Sequence, residues 1–299
     1  MDKSLYSFLD GVIVDKTTFR FIGLDDEKAL KGIKHGLIFT CKDRGWRAVE
    51  VGERLVSCTS TGVQEYSFVA IAESGREVMI GNNGLKQHII ASGADSPEAN
   101  GPVTQVRCWN NDQIYSVGTA RQAYRKRAMN EWDRIDESCK PQSAEARSSA
   151  AFLAVDGYSK DEVYAVGWDG EIWMFSGTLW QQLISPTNAM LHALCCSCDG
   201  NVYVCGQNGT VLKGRGAVWE VIEQSATSED LRGLCEFNEV VYLCSADLVY
   251  SLTREGLVPV LMGIPCTTSG RLTSACGLLM SVGLKDVALF DGTNWVVVA

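Results

Sequence analysis

The chain has 299 residues, of which 46% are hydrophobic and 21% are charged, so it can bury a large core. Its formal net charge of −9 disfavours nonspecific binding of DNA or RNA, which depends on neutralising phosphates, and favours basic partners. The longest apolar stretches, residues 150–155 and 278–284, are too short to cross a bilayer. We therefore expect neither a nucleic-acid partner nor a membrane partner.

The N-terminal residues 1–27 precede the patterned part of the chain. Residues 12–14 and 19–22 are apolar and predict two short strands. We expect these strands to pair near the seam of a closed structure, where they would remove an exposed sheet edge.

A five-residue segment, best seen as Val-Tyr-Ala-Val-Gly at 163–167, recurs along the rest of the chain. Its copies end at residues 42, 81, 118, 167, 206, 245 and 283, so the intervals are 39, 37, 49, 39, 39 and 38. Seven units of about forty residues indicate a repeat architecture. The first two copies are the weakest, and Lys42 stands where glycine is usual.

Each unit predicts four short antiparallel strands. The repeated segment is apolar on both faces, so sheets cover it from both sides. It is followed by a turn, as at 167–170 and 206–209, whose Asp-Gly or Asn-Gly pair supplies the positive φ angles of a tight turn. A strand precedes each segment, as at 30–33 and 191–195. Two strands follow, and the last one opens at Trp132, Trp180, Trp219 or Trp295. Trp46 follows Lys42 too closely to occupy this position.

This pattern resembles the WD-repeat, kelch and YVTN-like propeller superfamily, and most of all the bacterial blade repeat V-Y-A-V-G…D-G…W. The resemblance covers about residues 28–299. It implies an all-β fold: a seven-bladed β-propeller of four-stranded antiparallel blades, formed by residues 1–299 as a single domain. It implies no activity, because propellers support many unrelated functions.

The interval of 49 residues indicates an insertion at 137–149, which is polar and lacks a strand pattern. We expect a surface loop there, between the third and fourth units. Long loops in compact domains are often functional.

The twelve cysteines indicate free thiols in a reducing cytoplasm. Cys41, Cys205 and Cys244 occupy the position before the end of the segment, which valine fills in other units. The N-terminus shows no signal-peptide pattern. The cluster at 195–198 lacks a second pair of metal ligands, and no phosphate or calcium loop occurs, so we expect no metal and no cofactor.

The turns after the repeated segments supply the candidate partner-binding residues. Trp168 stands out because an aromatic at a turn tip is a typical binding anchor, while sister turns carry Gln207 or Asn82. We expect these turns and the loop at 137–149 to lie on one face of the ring. The predicted set is Asn82, Asn83, Arg121, Trp168, Asp169, Asn208, Asp247, Lys285 and Asp286.

The preferred function is noncatalytic binding of a protein. From size, charge and compartment, the specific hypothesis is a bacterial immunity protein that neutralises a secreted toxin, with a basic domain, by covering its active site. One alternative is a hydrolase or lyase with its site at the mouth of the central channel, which perturbed carboxylates there would favour. A second alternative is a glycan-binding lectin, but Trp168 has no equivalent in the sister turns.

Overall fold

The computed structural model describes residues 2–299, which form seven four-stranded antiparallel sheets. This confirms the predicted seven-bladed propeller. Each blade is a continuous stretch of chain. The strands of blades 1 to 3 are β1 Tyr6–Ile13, β2 Thr18–Asp25, β3 Gly36–Lys42, β4 Gly45–Val51; β5 Leu55–Ser60, β6 Phe68–Ala72, β7 Arg76–Gly81, β8 Gly84–Ile89; β9 Val103–Trp109, β10 Gln113–Gly118, β11 Ala123–Ala128, β12 Glu131–Arg134. Those of blades 4 to 7 are β13 Phe152–Ser159, β14 Glu162–Gly167, β15 Ile172–Phe175, β16 Trp180–Leu183; β17 Leu191–Cys196, β18 Val202–Gly206, β19 Val211–Arg215, β20 Val218–Val221; β21 Gly233–Phe237, β22 Val240–Cys244, β23 Val249–Thr253, β24 Gly256–Pro259; β25 Gly270–Ala275, β26 Leu278–Gly283, β27 Val287–Phe290, β28 Trp295–Val297.

The first strands of neighbouring blades lie side by side around the central axis, and β1 meets β25 to close the ring. Seven clusters of buried apolar side chains fill the seven blade boundaries. The cluster between blades 3 and 4, for example, joins Tyr115 and Val117 to Phe152, Trp173 and Trp180. No blade could bury both faces alone, so each stabilises its two neighbours.

The glycine that ends the repeated segment is required by a close backbone approach. A Cβ on Gly167 would lie 1.6 Å from the carbonyl oxygen of Ala151, and one on Gly206 would lie 2.1 Å from that of Met190. These glycines end the second strand of their blades, where the chain entering the first strand crosses them. The segment is therefore a structural signature of the second strand.

The predicted register was wrong in the first two blades. Lys42 and Gly81 end third strands, and residues 30–33 form a helix end and turn instead of a strand. The true equivalent in blade 1 is Gly23, whose Cβ would lie 2.4 Å from the carbonyl oxygen of Ser7. In blade 2 the position belongs to Ala72, which pairs with the start of β5. Trp46 consequently lies on the fourth strand of blade 1, like the other repeat tryptophans.

Because strands alternate in direction, the ring has two unlike faces. We call the loop face the one that carries the turn between the second and third strands of each blade and the connections between blades. The hairpin face carries the remaining turns, between first and second and between third and fourth strands. All short helices belong to the loop-face segments: α1 Asp26–Leu30, α2 Pro97–Asn100 and α3 Ala144–Ser148. None of the helices in residues 2–299 has the length and apolar character needed to span a bilayer.

The seam lies between blade 7 and blade 1. The strands β1 and β2 pair with each other as the inner half of blade 1, so they add no strand to blade 7. The backbone N–H of Phe8 donates to the carbonyl of Leu284 at 2.9 Å, and Lys3 Nζ donates to the carbonyl of Val298. The ring is closed by side-to-side packing of two complete blades.

Candidate partner-binding surface

The turns of blades 4 and 5 place polar tips on the loop face. Residues 168–170 and 207–209 each form a single 3-10 turn after the end of the second strand. Asp169 and Asn208 adopt left-handed backbone angles, with φ of 53° and 54°, which short polar residues tolerate. Both side chains are exposed, and so is Asp247 in the corresponding turn of blade 6. Trp168 is partly buried, and its backbone N–H donates to the carbonyl of Ala151 at 3.2 Å.

The structure separates two of the predicted residues from the rest. Asn82 and Asn83 form the turn between β7 and β8, the third and fourth strands of blade 2. This turn lies on the hairpin face. The expectation that all nine candidates share one face was therefore wrong, because the weak copy ending at Gly81 marks a third strand.

Arg121 lies in a turn of the loop face, but its side chain packs into the boundary between blades 3 and 4. Its Nε donates to Glu171 at 2.7 Å, and its guanidinium lies 4.9 Å from the ring centre of Trp173. Burial raises the pKa of Glu171, and the charge of Arg121 opposes this rise. This arrangement is a packing contact between blades.

Lys285 and Asp286 also make internal contacts. Lys285 Nζ donates to the carbonyl of Tyr6 at 2.9 Å and to the carboxylate of Asp26, so it crosses the seam. Asp286 accepts from the backbone N–H groups of Thr267 and Thr268 at 3.0 and 2.8 Å. Burial opposes ionisation of Asp286, but these hydrogen bonds lower its pKa below the ordinary value.

The loop face also exposes apolar residues that the repeat pattern did not single out. Leu30, Ile184 and Leu261 are 89%, 86% and 94% exposed, and all three lie in turns or connections of this face. Leu248 and Leu284 are exposed in second-to-third-strand turns of the same face. On the hairpin face the described turns expose Leu179, and Val218 is exposed where β20 begins, directly after a turn of this face. The repeat pattern gave no signal for the loop-face residues, because they lie in the connections between strands, whose composition varies from blade to blade.

Exposed carboxylates accompany these apolar residues over blades 4 to 6. We define the acidic arc as Glu145, Asp169, Glu229 and Asp247, all exposed and without an ion pair among the described residues. Glu145 lies on α3 inside the predicted insertion. The arc gives this part of the loop face a negative character that suits a basic surface.

The carboxylates of the central channel bind the ring together. Asp10 of blade 1 accepts from the backbone N–H of Cys58 in blade 2 at 2.9 Å. Asp156 of blade 4 accepts from that of Cys196 in blade 5 at 3.1 Å, with Arg107 at 3.6 Å. Burial raises the pKa of Asp10, although the nearby Arg271 and these hydrogen bonds oppose it. Asp10 is thus a carboxylate of the central channel with a raised pKa, but it accepts a hydrogen bond from the first strand of blade 2.

Neither the cysteines nor the histidines of residues 2–299 form a group of three or more side chains suited to a metal ion. Cys195 is buried, and exposed Cys198 instead donates to Glu236 at 2.6 Å. His35 is buried, where its Nε2 accepts from the backbone N–H of Asp25 at 2.9 Å.

Several solved structures share the fold of this chain. Among solved structures, the WD40 propeller domain of Doa1 matches 96% of this chain and 93% of its own with a TM-score of 0.72 at 11% identity. YCF48 bound to D1 peptide matches 96% and 92% with a TM-score of 0.68 at 14% identity. Virginiamycin B lyase from Staphylococcus aureus matches 81% and 82% with a TM-score of 0.66 at 9% identity. At these identities the likeness shows the fold alone. No protein-family model matches the chain.

Fold and surface together define a propeller with one loop-rich face. The immune protein Tsi7 of Pseudomonas aeruginosa is 32% identical over 297 residues, which cover 97% of this chain and 96% of that protein. The chain belongs to the family of this immune protein. The membership confirms the predicted class, an immunity protein, over the enzyme and lectin alternatives.

Proposed function

We propose that the chain neutralises a toxin by covering it with the loop face, and that it does so in the cytoplasm. The observation that carries the proposal is the concentration of exposed apolar side chains and unpaired carboxylates on this face. Exposed apolar groups rimmed by polar ones are typical of protein-binding sites. The twelve unpaired cysteines, most of them buried or partly buried, support a reducing compartment.

The acidic arc further supports a toxin with a basic surface. Electrostatic complementarity of this kind accelerates association and suppresses wrong partners. The partly exposed indole of Trp168 lies beside Asp169 in the middle of the arc, where a large rigid side chain can be covered by a partner. Trp168, Asp169, Asn208 and Asp247 are thus the predicted residues that we retain as direct contacts.

The test is coexpression with the cognate toxin domain, together with affinity measurement on the purified pair. The wild-type chain should restore growth and form a complex. Reversing two carboxylates of the arc, with Asp169→Lys and Asp247→Lys, should slow association and flatten its dependence on salt.

A matched control reverses two exposed acids of the hairpin face, with Glu65→Lys and Asp112→Lys. This variant has the same net charge as the first one. Equal weakening by both pairs would show that total charge, and not the loop face, governs binding. A toxin that kills with the wild-type chain present would contradict the proposal.

A further inference from the structure

The loop-face end of the central channel differs from its acidic surroundings. It opens into a cavity of about 490 Å³ that we call the axial mouth, lined by Arg54, His192, Arg232 and Arg271, with Glu73 at its rim. The rest of the lining is mainly apolar, including Leu9, Val56 and Leu153. Low-dielectric walls of this kind strengthen any charge interaction inside the cavity.

The arginines of the axial mouth retain free hydrogen-bond donors. Arg232 approaches Asp230 at 3.8 Å and Arg54 approaches Glu73 at 3.9 Å, both beyond hydrogen-bond length. Arg271 makes one hydrogen bond, from Nη1 to the carbonyl of Arg232 at 2.6 Å. A guanidinium has several N–H donors in a planar fork, so most of theirs have no acceptor among the described residues.

Several arginines elsewhere in the molecule donate hydrogen bonds to carboxylates. Arg76, Arg134 and Arg215 hold carboxylates at 2.6 to 2.8 Å. His192 also lies at the axial mouth. Its buried Nε2 makes no hydrogen bond within residues 2–299, and the carboxylate of Asp230 lies 3.9 Å away. Free arginine donors from blades 2, 6 and 7 and an unbonded imidazole nitrogen from blade 5 thus lie around one cavity.

Around the axial mouth the three arginines are matched by three carboxylates, so an added anion would be attracted by free guanidinium donors and not by an excess of positive charge. The carboxylates that face it are Glu73 and Asp230 at the rim and Asp10 deeper in the channel, while Arg107 below is paired with Asp156. Burial and the neighbouring arginines favour the neutral form of His192, because its pKa is lowered despite the opposing charge of Asp230. A polyanion such as a nucleic acid would meet the acidic arc, whereas a single carboxylate on a basic surface would meet complementary charge throughout.

We propose that the axial mouth binds a carboxylate side chain of the toxin, held by the guanidinium groups of Arg232 and Arg271. The inference rests on the proposed function, and it names the group on the partner that enters the ring. Paired guanidinium–carboxylate contacts in a partly desolvated cavity give binding strength and a fixed orientation.

The test compares the affinity of the toxin domain for the wild-type chain, for Arg232→Gln, and for the double variant Arg232→Gln with Arg271→Gln. Loss of a desolvated charge partner should weaken the complex about 30-fold in the double variant. Arg147→Gln is the matched control, because Arg147 is exposed on α3 of the same face. It should change affinity by no more than about twofold. Arg232 donates no side-chain hydrogen bond within residues 2–299, so the single variant remains informative if the double variant unfolds.

Replacing each Asp and Glu of the toxin domain by Asn or Gln then identifies the partner group. One of these toxin variants should bind as weakly as the double arginine variant, and combining the two changes should cause no further loss. Affinity unaffected by the arginine changes, or the absence of a coupled toxin carboxylate, would overturn this inference and leave the proposed function standing. A wild-type chain that does not bind the toxin would overturn both.

Titration with inorganic phosphate tests whether the axial mouth binds free phosphate instead of a toxin carboxylate. Micromolar binding that disappears in the double variant, with toxin affinity unchanged, would identify a free-phosphate site and overturn the carboxylate assignment. Phosphate that competes weakly with the toxin at constant ionic strength would support it.

Discussion

Replacement of Trp180 by alanine tests the packing at the boundary between blades 3 and 4. The side chain is 3% exposed, and its ring centre lies 5.2 Å from that of Phe175 and 5.4 Å from that of Phe152. A tryptophan buries roughly 150–250 Å², which at ~25 cal/mol per Å² gives a transfer term of about 4–6 kcal/mol. Part of this area is already covered in the unfolded chain. We expect Trp180→Ala to lower the free energy of unfolding by about 3–5 kcal/mol.

Denaturant unfolding followed by far-UV circular dichroism measures this loss without relying on the removed fluorophore. The indole N–H of Trp180 has no acceptor within residues 2–299, so the substitution leaves no partner there unpaired. Trp168→Ala is the matched control, because its partly exposed side chain should cost less than about 1 kcal/mol and should instead weaken the toxin complex by about 2 kcal/mol or more. Equal destabilisation by both changes would refute the assignment of one tryptophan to packing and the other to recognition.

Three further changes test the ring itself. Gly167→Ala should destabilise by about 3 kcal/mol or more, because its Cβ would meet the carbonyl oxygen of Ala151, whereas Gly52→Ala, with no atom within 4 Å, should be nearly neutral in a melting experiment. Asp286→Asn should cost about 1–2 kcal/mol near neutral pH. The lowered pKa means that this carboxylate stabilises above the ordinary value of 3.8 and loses its effect as pH falls through the folded value, so unfolding curves of variant and wild type should converge in acid. Lys285→Met should speed hydrogen exchange in blades 1 and 7 and leave blades 3 to 5 unchanged; a uniform increase would contradict its role at the seam.

Blades 3, 4, 5 and 7 were predictable because one steric requirement repeats in them, and blade 6 follows the same spacing with Ser245 at this position. The glycine at the end of the second strand must admit a crossing carbonyl, and the turn after it needs left-handed residues such as Asp169 or Asn208. Both needs limit residue choice strongly enough to be visible in the sequence. Blade 1 hides the same signature at Gly23, because α1 separates its second and third strands, and blade 2 has Ala72 at that position.

The candidate binding face was less predictable because turn chemistry is the same on both faces. Asn83 with Gly84 forms as good a tight turn between third and fourth strands as Asn208 with Gly209 forms between second and third. The engagement of Arg121 with Glu171 joins residues fifty positions apart, which local patterns do not reveal. The axial arginines were missed for the same reason: only closure of the ring brings their blades together.

The apolar clusters at every blade boundary have a consequence for how the molecule comes apart. An open stack of repeats can fray from its terminal members, each of which has one neighbour. Here each blade has two, so detaching any one uncovers two clusters at once. Partial melting is therefore more costly than in a linear array.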